Sequence, residues 1–409
     1  PEGTVVVNAG TGLGAATRGG GARGPVTVLL THHFRDHSDG ALAFAAAGAT
    51  VLAPVWEREY LLDPEQHFRE RQTWNSYDNR WDRFAPVRPL PVTGWLHDWE
   101  KRTIGGLEVE VIPTPGATTG AVSYLVMLGG KRLAFVGETI AAPGRVPRLA
   151  PLQYDYNDLN GAVNVWHSCR RLLKARPDRL LPSMGEPMDD PATPLHATRE
   201  ALKSITGMNP GFGWQLADPD ADDLEDVLPR LWRSKWAFAE THFVRGASGR
   251  VLSLDYGYAG REYVAPGKQH LSNRRPFLHG LDGLERRTGK RRVDAVLVTH
   301  YHDDHVNGIP MLQRLFGAEV WAPANVADIL EHPERYDRPC LWHEPIRVAR
   351  RLAPGERVEW DGVPITTWPM SGHTRFSSLV GFELDGVRVA HTGDQVFFDG
   401  AWDTGWKPG

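Results

Sequence analysis

Short apolar runs, interrupted by glycine and proline, alternate along the chain with segments whose apolar positions have helical spacing. In the first half, the strand-like runs are residues 4–7, 26–30, 51–52 and 109–112, and the helix-like segments are 39–47 and 159–175. In the second half, the strand-like runs are residues 295–298, 320–321, 363–368 and 379–384, with a helix-like segment at 309–316. Residues 193–205 and 222–238 are predicted to be helical connectors. The pattern predicts an α/β protein made of two similar units.

The repetition is visible in the sequence itself. Residues Val28–His37 align without a gap on Val296–His305, as expected for an internal duplication. In this alignment His32, Asp36 and His37 match His300, Asp304 and His305, but Phe34 stands where the second copy has His302. The chain is therefore predicted to be a tandem duplication whose copies differ at positions that carry chemistry.

The second copy has a dense group of metal-ligand side chains directly after an apolar run. Residues 299–305 read Thr-His-Tyr-His-Asp-Asp-His. Borderline divalent metals such as zinc take imidazole nitrogen and carboxylate oxygen at about 2 Å. His300 and His302 are two residues apart, so they project to one side of an extended strand end. Asp304 and His305 require a turn and could face a second ion, so the motif predicts a metal site.

The composition of the chain mainly argues against certain classes of protein. A chain of 409 residues with 41% hydrophobic and 23% charged residues is globular, with room for two or three domains. A net charge of −4 argues against nucleic acid as a partner, and the basic clusters at residues 286–292 and 347–351 are predicted to be solvated edges. No apolar run is long enough to span a membrane. Cys169 and Cys340 lie in different halves, which favours a reducing, cytoplasmic location. Homo-oligomerisation is left open.

The motif resembles that of the metallo-β-lactamase superfamily, whose signature is His-x-His-x-Asp-His after a buried strand. Three further segments are similar to family motifs, in the family's order: Val251–Gly257, Ser371–Thr374 and His391–Asp394. The resemblance implies that one ion is held by His300, His302 and His373, that a second is held by Asp304 and His305, and that Asp394 bridges them. It also implies that Asp255 supports the ligands from behind and that Asp304 orients the nucleophile or handles its proton.

The resemblance implies a fold and a domain division. Each copy is expected to be a four-layered αβ/βα sandwich, with one copy at residues 1–205, a helical connector at 206–236 and the metal-binding copy at 237–409. The aromatic segment 74–84, which has no equally long counterpart in the second copy, is expected to pack the copies together or to cap a pocket. The family's last histidine has no counterpart after Asp394, and no methionine precedes Pro1. We therefore expect the polypeptide to extend at both ends.

The first copy has lost several of the family's ligands. Phe34 and Ala117 stand at histidine positions, Glu138 stands at the bridging aspartate, Met184 stands at the last histidine, and Asn8 replaces the early aspartate. Because a phenyl ring or thioether cannot replace imidazole toward zinc, this copy is predicted to be a folded, largely metal-free domain. The alternative is that His32, Asp36, His37 and Glu138 still hold one ion.

The leading functional hypothesis is a metal-dependent hydrolase with two zinc ions, iron or manganese being alternatives. A metal-activated hydroxide would attack an ester, thioester, lactone, amide or phosphodiester of a small-molecule substrate. Asp304 and Asp394 are the expected catalytic carboxylates. Two other hypotheses remain: a mononuclear iron dioxygenase or oxidoreductase on the same fold, and a binding or scaffold protein without turnover.

Overall fold

A computed structural model of the chain describes residues 3–11, 24–70, 84–147, 160–207, 222–258, 275–276, 279–397 and 401–402. These residues form two compact units, one within Pro1–Pro219 and the other within Asp220–Arg261 and Arg274–Gly409. Residues 74–83 of the aromatic segment lie outside the described ranges. Among the described helices, none is long and apolar enough to cross a bilayer.

The first unit contains two sheets. The parallel sheet has the order β1 (Thr4–Val7), β2 (Val26–Leu29), β3 (Thr50–Pro54) and β4 (Gly94–Leu96). The second sheet consists of β5 (Lys101–Ile104), β6 (Leu107–Pro113), β7 (Val122–Leu128), β8 (Lys131–Gly137) and β9 (Arg179–Pro182), and only its β8–β9 pair is parallel. The helices are α1 (Arg35–Ser38), α2 (Ala41–Ala46), α3 (Arg58–Leu62), α4 (Pro64–Glu70), α5 (Asn160–Ala175) and α6 (Ala192–Gly207), with a 3₁₀ turn at Val55–Glu57.

The buried side chains of this unit define four layers. Leu29 on β2 packs with Val111 and Tyr124 of the second sheet, so a core lies between the two sheets. On the opposite face of β2, Val28 packs against Phe44 of α2. Trp166 of α5 belongs to a further cluster that covers the outer face of the second sheet. This alternation of buried faces along one strand follows from the two-residue period of a β-strand and produces the predicted sandwich.

The second unit repeats this arrangement with additions at one edge. Its larger sheet has the order β10 (Leu224–Leu228), β11 (Leu231–Ser234), β12 (His242–Arg245), β13 (Val251–Leu254), β14 (Ala295–Leu297), β15 (Glu319–Pro323) and β16 (Arg350–Leu352), and the pairs from β13 to β16 are parallel. An antiparallel sheet follows, with β17 (Arg357–Trp360), β18 (Val363–Pro369), β19 (Ser378–Leu384) and β20 (Val387–His391); a hairpin pairs β21 (Val396–Phe397) with β22 (Ala401–Trp402). One buried core, which includes Leu252, Trp321, Trp360 and Phe382, joins the two main sheets.

The helices of the second unit are α7 (His279–Thr288), α8 (Asp303–Val306), α9 (Ile309–Phe316) and α10 (Ala324–Glu331), with 3₁₀ turns at Pro333–Arg335 and Gly393–Gln395. Helix α9 ends at Gly317, whose φ of 65° suits glycine and whose amide donates to the Gln313 carbonyl at 3.0 Å. The order of four parallel strands, interleaved short helices and an antiparallel sheet is the same in both units. The predicted α/β duplication is confirmed.

The prediction of a helix at residues 222–238 is wrong. This segment forms β10 and β11, which pair with each other, and β11 also pairs with β12. The apolar residues Leu224, Leu228 and Leu231 have helical spacing, but Pro229 between the strands lacks the amide hydrogen that a helix interior needs. Pairing with the sheet edge then decides the conformation. The helix predicted at 193–205 lies within α6, as expected, and the domain boundaries at 205 and 236 stay predictions.

Candidate metal centre

The metal-ligand side chains of the second unit follow strands that end at one edge of the sheets. Asp255 follows β13, and His300 follows β14, which runs parallel to β13. Because parallel strands direct their carboxyl ends to one edge, residues that are distant in sequence converge there. Asp255 has a φ of 56°, a left-handed conformation that aspartate and asparagine tolerate better than most residues. Asp394 lies in the short turn after β20.

Three buried imidazoles form the first ligand group. His300, His302 and His373 offer nitrogen atoms within 4.8 Å of one another. His302 Nδ1 and His373 Nε2 are 3.0 Å apart, and the ring centroids of His300 and His302 are 4.7 Å apart. Nitrogen ligands of one tetrahedral ion lie about 3.3 Å apart when each bond is about 2 Å long. The spacing therefore fits a single ion with three protein ligands.

A second group shares a carboxylate with the first. His305 Nε2 lies 3.1 Å from Asp394 Oδ1, whereas His373 Nε2 lies 3.5 Å from Asp394 Oδ2. The two oxygens of Asp394 thus face different ligand groups, as the bridging assignment requires. Asp304 is less close, with its Oδ2 3.9 Å from His305 Nε2. The structure brings all six predicted ligands to one place, with Asp304 at its margin.

A fully buried hydrogen-bond network behind the ligands sets the orientation of two imidazoles. Asp255 accepts from His305 Nδ1 at 2.8 Å, from the Thr299 amide at 2.8 Å and from the Thr299 hydroxyl at 2.6 Å. Since a carboxylate only accepts, His305 carries its proton on Nδ1 and directs Nε2 toward Asp394. This is the supporting role predicted for Asp255.

Thr299 extends the network to a second histidine and was missed by the sequence argument. Its single hydroxyl proton goes to Asp255, so Thr299 Oγ1 accepts from His300 Nδ1 at 3.1 Å. His300 Nε2 is then the lone-pair nitrogen. A signal was available, since Thr31 occupies the equivalent position of the first copy.

Burial favours the ligand forms of His300 and His302, whereas at His305 burial is outweighed by the charges of Asp255 and Asp304, which hold its pKa well above the usual value. Burial and the neighbouring imidazoles hold the pKa of His300 well below its usual value, and burial with His373 lowers the pKa of His302 to about 4. Both rings are therefore neutral at pH 7, the form that binds metal. Burial raises the pKa of Asp304 to about 6. For Asp394, burial acts in the same direction, but the hydrogen bond and charge of His305 outweigh it and lower the pKa.

The residues fit a borderline divalent ion. His300 Nε2 is buried and has no hydrogen-bond partner among the described residues, which is costly unless a cation occupies the space in front of it. The set of imidazole nitrogens and carboxylate oxygens suits zinc, iron or manganese better than calcium.

Residues next to the proposed ligands shape the site. Asp303 is the first residue of helix α8 and accepts from the Asp304 amide at 3.0 Å. His391 is buried at the end of β20, where its Nδ1 accepts from the Gly393 amide at 3.3 Å. A Cβ at Gly257 would lie 1.5 Å from the Asp304 carbonyl oxygen, so only glycine permits this approach. That explains the glycine at the end of the segment Val251–Gly257, which the sequence argument left without a role.

The first unit has a smaller, altered cluster at the equivalent edge. His32, His37 and Glu138 are buried and offer ligand atoms within 4.8 Å of one another. Asp36 Oδ1 lies 3.1 Å from His37 Nδ1. Phe34 and Ala117 are buried at the former histidine positions, whereas Met184 is exposed. The structure thus brings together the four residues named as counterparts of the second-unit ligands.

Comparison with known proteins agrees with this architecture. The family model described as metallo-beta-lactamase superfamily matches residues 1–206, and the one described as beta-lactamase superfamily domain matches residues 275–406. Hydroxyacylglutathione hydrolase of Stenotrophomonas maltophilia is 37% identical over 108 residues, which cover 26% of this chain and 34% of that protein. A metal-dependent hydrolase of Thermococcus onnurineus is 28% identical over 130 residues, which cover 30% of this chain and 53% of that protein. The chain thus spans about one third to one half of the length of these relatives.

Solved structures with lower identity also match part of the chain. A metallo-beta-lactamase of Cronobacter sakazakii superposes with a TM-score of 0.36 and 20% identity, covering 53% of this chain and 87% of that one. An archaeal metallo-beta-lactamase superfamily protein of Sulfolobus tokodaii gives a TM-score of 0.34 and 19% identity, covering 49% and 75%. Since the superfamily model alone matches residues 1–206 of 409, half of the sequence, the chain belongs to the metallo-β-lactamase superfamily.

Proposed function

We propose that the second unit is a metal-dependent hydrolase that acts on a small-molecule substrate. It uses two metal ions, and zinc is the first candidate for both. The observation that carries this proposal is the position of Asp394. Its two oxygens face His305 and His373, which belong to different ligand groups. A carboxylate placed in this way is suited to join two adjacent ions, as in two-metal hydrolytic sites.

The chain's own residues would divide the work. A bound divalent ion supplies a water that is deprotonated near neutral pH and polarises the electrophile. The imidazoles of His300, His302 and His373 would hold one ion without adding negative charge, which would preserve its Lewis acidity. Asp304, with a pKa of about 6, is suited to accept and return a proton near neutral pH. Asp255 and Thr299 keep His305 and His300 in the required tautomers.

Thioesters are the first substrate class to test. Relatives from Stenotrophomonas maltophilia and Methylobacterium nodulans are hydroxyacylglutathione hydrolases by name, and hydroxyacylglutathione is a thioester. Esters, lactones, amides and phosphodiesters remain in the same panel, because the chemistry of an activated water serves all of them.

Metal analysis combined with one substitution tests the proposal. We expect the purified full chain to contain zinc and to hydrolyse a member of the ester and thioester panel. The variant His302→Ala should lose at least one ion and the activity, whereas His332→Ala, a partly exposed histidine that follows helix α10 and pairs with Glu334, should retain both. Iron in place of zinc would favour the oxidoreductase, absence of metal would favour a scaffold, and activity retained in His302→Ala would refute the site.

A further inference from the structure

We propose that the first unit holds a single divalent cation in a site of its own, formed by His32, His37 and Glu138. The three side chains are buried, and the same atom, Glu138 Oε1, lies 3.8 Å from His32 Nε2 and 3.3 Å from His37 Nδ1. The ligand set differs from that of the second unit, and the proposal does not depend on hydrolysis there.

The hydrogen bonds of Thr31 involve only one nitrogen of His32. Thr31 Oγ1 lies 2.8 Å from His32 Nδ1, 3.0 Å from Asn8 Nδ2 and 3.1 Å from Asn8 Oδ1. His32 Nε2 lies 3.8 Å from Glu138 Oε1, and it has no hydrogen-bond partner among the described residues. A buried imidazole nitrogen that lies beside a carboxylate without a hydrogen bond is unfavourable unless a cation lies between the two groups.

The orientation of His37 indicates that the site was rebuilt when its ligands changed. In the second unit, Asp255 holds the Nδ1 of His305 and leaves Nε2 for the ion. In the first unit, Asn8 instead bonds the Thr31 amide at 2.9 Å and the Ser183 hydroxyl at 2.7 Å. His37 therefore presents Nδ1, rather than Nε2, to Glu138.

A metal-free ion pair is the competing explanation. In that arrangement the Nδ1–H group of His37 donates to Asp36 Oδ1 at 3.1 Å, and Glu138 Oε1 lies 3.3 Å from the same nitrogen. That arrangement accounts for His37 but leaves His32 Nε2 unsatisfied in a position that is 1% exposed. A cation satisfies both histidines at once. Two imidazoles and one carboxylate select a borderline ion such as Zn²⁺, Fe²⁺ or Mn²⁺.

The position of the site suggests a structural role for the ion. His32 and His37 follow β2 of the parallel sheet, whereas Glu138 follows β8 of the second sheet. One ion bound to all three would connect the edges of the two sheets. Phe34 and Ala117, buried where the second unit has His302 and His373, supply no further ligand. We expect the ion to stabilise the unit rather than to activate water.

Zinc content of the full chain tests the proposal. The first measurement uses a variant in which His300, His302 and His305 are all replaced by alanine, loaded with Zn²⁺ and desalted. We expect one zinc per chain and a higher melting temperature with Zn²⁺ than with EDTA. Adding His37→Gln should abolish both effects, whereas adding His196→Gln, an exposed histidine of the same unit, should change neither. A zinc that persists after His37→Gln overturns the proposal.

A second measurement avoids the triple alanine background. In the otherwise unchanged chain, Glu138→Gln keeps the side-chain volume but removes the anionic ligand. Its zinc content should be one ion per chain lower than that of the unsubstituted protein, with the far-ultraviolet circular dichroism unchanged. Unchanged zinc content in this variant refutes the site, whatever the triple variant shows.

Discussion

Replacing Asp255 by asparagine isolates the contribution of the network behind the ligands. The backbone at this position has a φ of 56°, and Asn8, its counterpart in the first unit, has a φ of 59°. Asparagine therefore fits the left-handed conformation, and Asp255→Asn removes only the charge and one acceptor. The amide oxygen still accepts from the Thr299 amide, but the new NH₂ group faces hydrogens of Thr299 and His305 that previously donated to the carboxylate.

The size of the effect follows from the bonds that are lost. A hydrogen bond to a buried charged group contributes about 1.5–3 kcal/mol. Since a tenfold change in affinity corresponds to about 1.4 kcal/mol, the loss of such a bond weakens ion binding at His305 by about 10–100-fold. Ion binding by the group of three imidazoles should be weakened less. Only one member of that group, His300, is connected to Asp255, and the connection runs indirectly through Thr299.

A chelator competition titration with Zn²⁺ measures both affinities in one experiment. Asp385→Asn is the matched control: Asp385 also has a left-handed φ, of 53°, but it is an exposed partner of Arg230. We expect Asp255→Asn to weaken one class of site more than the others, and Asp385→Asn to change none of them. An unchanged titration, or an equal shift of all classes, would show that the network does not orient His305.

Three other predictions address protonation, accessibility and packing. The pKa of Asp304 is raised to about 6, so in EDTA-treated protein its ionisation lowers stability progressively between about pH 4 and pH 6. Asp304→Asn should therefore be more stable than the unsubstituted protein at pH 7, by up to about 3 kcal/mol, but equally stable at pH 4; urea unfolding at both pH values checks this, and the reverse order contradicts it. Burial raises the pKa of Cys169 to about 12 while Cys340 is exposed, so a thiol reagent should modify one cysteine in the native protein and two in denaturant; two fast thiols would contradict the packing around Cys169. Gly257→Ala should destabilise the protein by about 3 kcal/mol and reduce zinc content, because its Cβ would overlap the Asp304 carbonyl, whereas Gly386→Asn, at an open turn, should do neither.

Local pattern was sufficient for much of the fold. Strands and helices whose apolar period is uninterrupted, such as β14 and α9, were predicted within one residue of their observed ends. The failure at residues 222–238 has a specific cause. Three leucines with helical spacing carry the same information in a helix and in two short strands joined at Pro229, and the neighbouring strand β12 decides between them.

Some features of the candidate site could be predicted from the sequence, and others could not. The types of ligand could be predicted because histidines and aspartates at these short spacings are typical of a metal site. The alignment of the two copies then showed which ligand positions are substituted in the first unit. The tautomers of His300 and His305 could not be predicted from the sequence, because they depend on the side chain of Thr299 and on Asp255, which is distant in sequence. The ring orientation of His37, which presents Nδ1 rather than Nε2 to Glu138, could not be predicted either, because it depends on the groups that Asn8 binds in the folded chain.

The left-handed residue at the end of the first parallel strand has an evolutionary consequence. Asp255 and Asn8 occupy equivalent positions with nearly equal φ, so exchanging acid for amide there leaves the main chain undisturbed. Few other residues tolerate that conformation, and the acid–amide exchange requires a single nucleotide change. After a gene duplication, this position therefore allows one copy to change the charge behind its histidines in one mutational step, without distorting the main chain.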